Sequence, residues 1–299
     1  MKLRLTAPAA LAAAGLLLAG CGGSSSSGLD SITVGAARTY RIVDFKPSGP
    51  IVPGKPTRVS FEIVQPDGTV LKQFKTGPGP HTGVHLIFVR KDLSTIIHHH
   101  PPLNGTGKIV DSVTFPTPGP YRLVVDAYPL HAPANSVASA PTVAGVTLTP
   151  NFQLTRNVRI AGAYHPLPLP APSSTASDHG YRFSLSGASD LEAIQARIVK
   201  MTVTGPNGKP ASFRPWYGAL AHAIFFREGS LDYFHTHVCS NAAIGCASVF
   251  GGSKVVGTSS KPGELNVGVL LPLPGTWRLF LQTQVDGHIL TAPFTLRVT

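Results

Sequence analysis

Two stretches of this 299-residue chain carry one pattern at one spacing. His85, Ile87, Phe88, Arg90, His98 and His100 align without a gap with His222, Ile224, Phe225, Arg227, His235 and His237. Downstream, Pro118-Gly119-Pro120-Tyr121-Arg122-Leu123 matches Pro274-Gly275-Thr276-Trp277-Arg278-Leu279. Upstream, Pro66-Asp67-Gly68 matches Pro206-Asn207-Gly208, and Tyr40-Arg41 and Tyr181-Arg182 open the two copies. A unit of this size, repeated once, is a domain duplication. The repeat divides the chain into a first domain over 32–164, a Pro/Ala/Ser linker over 165–177, which reads as semi-rigid, and a second domain over 178–299. The second copy carries about nineteen extra residues between its His pair and its Pro-Gly turn, and that insertion holds Cys239 and Cys246.

Within each copy the apolar residues alternate. Val59–Val64, Val84–Arg90, Ser112–Phe115 and Tyr121–Val125 read as strands separated by Pro-Asp-Gly, Lys-Asp-Leu-Ser and Pro-Gly-Pro turns. The 31 Gly and 28 Pro fall between these runs without a Gly-X-Y period, which excludes collagen. Charged residues are only 13%, too few for a disordered polyelectrolyte. The fold class is therefore all-β, two tandem immunoglobulin-like antiparallel β-sandwiches. Tyr121 and Trp277, each following a Pro-Gly-X turn, are expected to cap the two cores. Leu191–Ala196 is the one candidate for a helical turn.

The N-terminus reads as a leader. Lys2 and Arg4 precede an apolar run that ends in Leu18-Ala19-Gly20-Cys21. The run is too short to span a bilayer comfortably. Its end resembles the lipobox of bacterial lipoproteins, so residues 1–20 read as a signal peptide and Cys21 as the lipidated, palmitate-bearing residue. Residues 21–31, rich in Gly and Ser, form a flexible tether. No other segment is long and apolar enough to cross a membrane. The expected location is extracytoplasmic, anchored to the cell membrane by lipid. The net charge of +11 becomes +9 once Lys2 and Arg4 leave with the leader, a sign that suits an anionic envelope. Nucleic acid is not an expected partner, because there is no Lys/Arg run and no nucleic-acid-reading motif.

The repeated histidines are the candidate site. Gly229-Ser230 predicts a two-residue type II′ turn. Centring the hairpin there sets His222 opposite His237, with His235 diagonal on the same face. The repeat sets His85 opposite His100, with His98 diagonal. Opposite Cβ atoms lie about 5 Å apart and diagonal ones about 7 Å, distances that imidazole arms can close onto one ion. Each hairpin can thus present three imidazoles, a set that suits Cu(II) or Zn(II). The other reading is six structural histidines at the edge of a core, since Ile87, Val89, Ile224 and Phe226 share their face. His81 and His99 lack counterparts in the second copy, and His131, His165, His179 and His288 are isolated.

Cys239 and Cys246 are an even pair in an oxidising space, which favours a disulfide. A His235-His237-Cys239 ligand set competes with it, but the first copy has no matching cysteine. Arg90 and Arg227 fall on the face opposite the histidines. They and the repeated Arg122 and Arg278 read as braces of a loop or a carboxylate, with Asp126 and Asp286 as candidate partners.

The modules resemble a group of bacterial secreted proteins, common in actinobacteria, with the pattern His-Leu-x3-Arg-x-Asp-Leu-x4-His-x-His-Pro followed by Pro-Gly-x-Tyr-Arg-Leu. They are similar to YtkA-like, immunoglobulin-like β-sandwich proteins linked to heavy-metal or copper handling. His85, Arg90, Asp92, Leu93, His98, His100 and Pro101 match the first motif, whereas Gly229-Ser230 and Val238 depart from it in the second copy. The resemblance implies metal sequestration or delivery outside the cytoplasm. The alternative is a metal-free envelope scaffold or adhesion module, with an envelope protein as partner. No nucleophile elbow, Walker loop or His-Glu-x-x-His motif occurs, and no catalytic residue is assigned. The expectation is a binding protein, with copper or zinc as its ligand and no organic cofactor.

Overall fold

The computed structural model describes residues 40–76, 83–131, 151–240 and 261–299, with short strand segments at 142–143, 146–147, 249–250, 253–254 and 257–259. The leader, Cys21, the tether, His81 and Cys246 lie outside the described residues. In the first module the strands are β1 (Arg41–Lys46), β2 (Pro56–Val64), β3 (Val84–Arg90), β4 (Ile96–His99), β5 (Lys108–Thr114), β6 (Gly119–Ala127), β7 (Thr142–Val143), β8 (Val146–Thr147) and β9 (Phe152–Ile160). In the second they are β10 (Thr175–Asp178), β11 (Tyr181–Ser186), β12 (Arg197–Thr204), β13 (Phe213–Arg214), β14 (Ala221–Arg227), β15 (Tyr233–Ser240), β16 (Val249–Phe250), β17 (Ser253–Lys254), β18 (Gly257–Ser259), β19 (Glu264–Val269), β20 (Gly275–Val285) and β21 (His288–Val298).

The first module is a three-plus-four sandwich, and the second is built on the same plan with added strands. The first pairs β1-β2-β5 against β4-β3-β6-β9. The second extends this to β10-β11-β12-β19 against β15-β14-β20-β21, with the short β13 also on β20 and with β18 joining the two into one sheet because it pairs parallel to β15 and antiparallel to β19. The chain is all-β and immunoglobulin-like, and no helix among the described residues is long and apolar enough to cross a membrane. Leu191–Ala196 is not helical: Leu191 bridges Val298, and Ala193 N–H and Thr299 N–H donate to Thr299 and Leu191 carbonyls. That pairing with the end of β21 satisfies the backbone that a helical turn would have satisfied internally.

Tyr121 and Trp277 are fully buried in their respective cores. Each tethers itself four residues back, Tyr121 Oη to the Thr117 carbonyl (3.2 Å) and Trp277 Nε1 to the Leu273 carbonyl (3.0 Å). The Pro-Gly turn before each is held by the repeated arginine. Arg90 Nε donates to the Pro118 carbonyl (3.1 Å), and Arg227 Nε to the Pro274 carbonyl (2.9 Å). Gly119 adopts φ +118°, and a Cβ there would lie 2.4 Å from the Tyr164 ring, so the close packing around Arg90 requires glycine.

The arginines do not pair with Asp126 or Asp286. Arg90 pairs with Asp92 and Arg227 with Asp232, because these acids sit in the hairpin loops that the guanidinium groups already reach. Arg122 donates to Asn157 and Arg278 to Thr295. Asp286 accepts from Tyr181 instead. Arg90 also donates to the His165 carbonyl (3.3 Å), and Asp92 accepts from Leu167 N–H (2.9 Å), so the start of the linker is fastened to the first module. The Arg90–Asp92 side chains are 6% and 4% exposed, those of Arg227–Asp232 31% and 39%. Arg90→Ala strands a buried carboxylate and is expected to cost about 3 kcal/mol or more. Arg227→Ala is expected to cost under about 1 kcal/mol. Equal losses in denaturant unfolding would contradict this.

The modules pack against each other through their four-stranded sheets. In β3, Leu86 and Phe88 face the first core while Ile87 and Val89 face outward; in β14, Ala223 and Phe225 face the second core while Ile224 and Phe226 face outward. The outward residues meet. Ile87, Val89, Leu93 and Val124 join Ile224, Phe226, Leu231 and Phe280 in one apolar layer. Each such side chain gains about 1.5–3 kcal/mol over exposure to water. Both faces of β3 are therefore buried along its whole length.

Candidate functional site

The six repeated histidines gather at one end of this layer. Local pairing places them as their spacing predicts: His222 stands opposite His237, and Ile224 opposite His235. In the first module Leu86 stands opposite His99 and Ile87 opposite His98, which carries His100 to the position facing His85. The connecting turn is not the two-residue type II′ form. Arg227 N–H reaches the Asp232 carbonyl (2.9 Å) around a four-residue loop, with Gly229 at φ 82° and Leu231 at φ 60°. The loop is centred on the same point, so the register survives. Its form follows from burial: Leu231, like Leu93 at φ 59° in the first loop, is turned into the apolar layer.

The two hairpin faces do not form separate sites. They face each other across the module boundary, and their imidazoles form one cluster with approximate two-fold symmetry. The His85–His235 ring centroids are 5.3 Å apart and their repeat equivalents His222–His98 5.0 Å; His98–His235, near the axis, is 5.4 Å. His85, His98, His222, His235 and His237 are buried, and His100 is half-buried.

Neighbouring side chains decide which ring nitrogens face inward. Gln282 Nε2 donates to Thr291 Oγ1 (3.1 Å), leaving Gln282 Oε1 to accept from His98 Nδ1 (3.1 Å). The lone pair of His98 is then on Nε2, which faces His100 Nε2 at 3.2 Å. His222 Nε2 donates to the Trp216 carbonyl (3.0 Å), which puts its lone pair on Nδ1, 3.2 Å from His235 Nε2. Locking one ring N–H to an outer acceptor is how proteins orient a ligating histidine.

The Trp216 carbonyl is placed by a tight turn. Trp216 and Ala219 exchange backbone hydrogen bonds (2.8 and 3.1 Å), while Tyr217 (φ 49°) and Gly218 (φ 81°) both take positive φ, as a type I′ turn demands. Tyr217 lies flat on His100, with centroids 3.8 Å apart and planes 4° from parallel. It closes the one half-exposed side of the cluster.

Asp126, opposite His85 on β6, supplies the buried carboxylate beside the cluster. It accepts from Asn151 Nδ2 (2.7 Å), from Tyr128 Oη (3.3 Å) and, across the module boundary, from Tyr233 Oη (3.3 Å). His235 Nδ1 lies 4.0 Å from it. Burial raises the Asp126 carboxyl to about 6, against these hydrogen bonds. Burial, reinforced by neighbouring imidazoles, holds His98, His100 and His235 well below the ordinary histidine value. These rings are neutral at pH 7, the form that coordinates metal.

Among the described residues, three sets of three rings bring one ligand nitrogen each within 4.8 Å of one another: His85-His98-His235, His98-His100-His222 and His222-His235-His237. Two of the three draw on both modules. Cys239 is disulfide-bonded, so its sulfur is not a free thiolate ligand; its expected partner Cys246 lies outside the described residues. His99 bonds Asp111 (2.6 Å) and His179 bonds Asp178 (2.9 Å), both away from the cluster. Asp126, Gln282, Trp216 and Tyr217 are the members that the repeat alone does not reveal. The uninterrupted apolar run of β3 is the signal that its outer face is also covered.

The sequence model of a family described as a domain of unknown function (DUF8832) matches residues 38–144 and 175–299. No curated protein matches the chain. Among solved structures, invasin, a bacterial integrin-binding protein, is similar at 14% identity and TM-score 0.23 over 87% of this chain and 39% of its own. The Escherichia coli adhesin FdeC is similar at 14% and 0.25, over 87% and 64%. Domains 4 and 5 of the S-layer protein SbsC are similar at 11% and 0.21, over 87% and 96%. The chain thus spans about two fifths of the invasin chain. Integrin binding and adhesion are properties of those proteins.

Proposed function

The chain belongs to the DUF8832 family, and we propose that it is a metal-binding protein that holds copper or zinc in the histidine cluster between its modules. One observation carries this reading. Imidazole nitrogens from both modules converge in sets of three, and outer acceptors turn the lone pairs of His98 and His222 into the cluster. Buried histidines serving only the fold would be satisfied by the nearest backbone, with no need to face one another. The donor set is nitrogen throughout, which fits Cu(II) or Zn(II) better than a thiolate-seeking ion. Three protein ligands leave a coordination position open, the pattern of an exchangeable ion rather than a sealed structural one.

The resemblance to secreted sandwich proteins linked to heavy-metal handling supports the same reading. With residues 1–20 as a signal peptide and Cys21 as the lipidated residue, the protein is a lipid-anchored extracytoplasmic binder, and its role is metal sequestration or delivery at the membrane surface rather than catalysis.

Titration of the full chain with Cu(II) and with Zn(II), against a competing chromophoric chelator, tests this. Micromolar or tighter binding at pH 7 is the expected result. Binding weaker than millimolar for both ions would overturn it and favour an envelope scaffold whose histidines fill the module boundary.

A further inference from the structure

The three imidazole sets overlap in a regular way. His85-His98-His235 and His98-His100-His222 share His98; the second and His222-His235-His237 share His222; the third and the first share His235. Every pair of sets has one ring in common. His98, His222 and His235 form a hub, with ring centroids 5.0, 5.4 and 5.4 Å apart, and each belongs to two sets. His85, His100 and His237 each belong to one.

From this we infer that the chain, despite its six repeated histidines and two modules, takes one metal ion, shared among three overlapping three-imidazole pockets. The inference rests on the metal-binding reading above. A nitrogen lone pair binds one ion at a time. Filling any set therefore removes a ring from each of the others and leaves each with two. An ion can pass from one set to the next while keeping the shared ring and exchanging the other two. The set containing His100 lies nearest solvent, beneath Tyr217, whereas His222-His235-His237 is buried throughout. The hub thus links an outer pocket to two inner ones.

The overlap makes an unusual mutational rule. Any single His→Ala substitution leaves at least one set whole. Any two hub substitutions destroy all three sets, whereas any two peripheral substitutions leave one. His85→Ala with His237→Ala keeps His98-His100-His222. His98→Ala with His222→Ala keeps none.

The experiment titrates Zn(II) and Cu(II) alone into the full chain and its double variants, with bound metal counted by mass spectrometry. One ion per chain is expected in the unsubstituted protein. The peripheral double is expected to keep one ion within about tenfold of the original affinity, and the hub double to lose at least 100-fold. His98→Phe with His222→Phe, which preserves ring volume, repeats the hub test should the alanine pair fail to fold. Two ions per chain, or equal losses in hub and peripheral doubles, would overturn the shared pocket while leaving metal binding intact. No binding by the unsubstituted chain would overturn the metal reading itself.

Discussion

Phe226→Asp is expected to part the two modules while leaving each sandwich folded. Phe226 is fully buried, but not in the core of its own module: its neighbour Phe225 points there, and Phe226 points into the layer shared with Ile87, Val89 and Val124. Removing a buried Phe side chain costs about 3–5 kcal/mol. A carboxylate in the same place adds the penalty of an unpaired buried charge. Separation relieves that penalty by exposing the aspartate to water, and nothing within either core opposes it. Small-angle scattering should show a longer maximum dimension, with the far-ultraviolet spectrum of a β protein retained. The linker segment held by Arg90 and Asp92 keeps its contact with the first module, so the second swings rather than drifts. An unchanged scattering profile would contradict the packing of the two modules through Phe226. The same substitution separates His85, His98 and His100 from their counterparts, which breaks the two sets that draw on both modules and leaves His222-His235-His237 whole, so one ion per chain should still bind.

Acidification from pH 7 to 5.5 is expected to destabilise the protein by several kcal/mol. His98, His100 and His235 bind protons far less readily in the fold than in the unfolded chain, because burial penalises their charged forms. Their contribution is full above the unfolded histidine value of about 6.5 and is lost as pH falls below it. Each such group costs about 1.4 kcal/mol per pH unit in that range. Asp126 acts in the opposite sense: its carboxyl, raised to about 6, takes up a proton in the fold before it would in the unfolded chain. One carboxyl offsets about one imidazole, so the net slope remains that of about two. Chemical denaturation at pH 7 and 5.5 measures this directly, and a midpoint that does not fall would contradict the neutral, buried cluster.

Much of this was legible in the residues. The repeat predicts two modules of one topology, and the spacing within it sets His222 against His237 even though the loop between them is not the predicted turn. Both Leu93 and Leu231 sit at positive φ, a conformation that neither residue type announces. Both are buried in the apolar layer that the two modules share, which one copy of the repeat does not show. The same omission hid the single cluster. Ile87, Val89, Ile224 and Phe226 are apolar on the face they share with the histidines because a second sheet covers that face. Asp126 is expected beside an arginine and lies instead beside the histidines. Its burial beside Tyr128 and Tyr233 is a tertiary fact, because Tyr233 comes from the other module.

The most direct test of the central claim is X-ray absorption at the zinc edge on the full chain loaded with one equivalent of Zn(II). The account predicts a first shell containing three imidazole nitrogens at about 2.0–2.1 Å, with outer-shell scattering from the rings and no sulfur at about 2.3 Å. A shell with sulfur, or one of oxygen alone, would place the ion elsewhere and contradict the histidine cluster as the site.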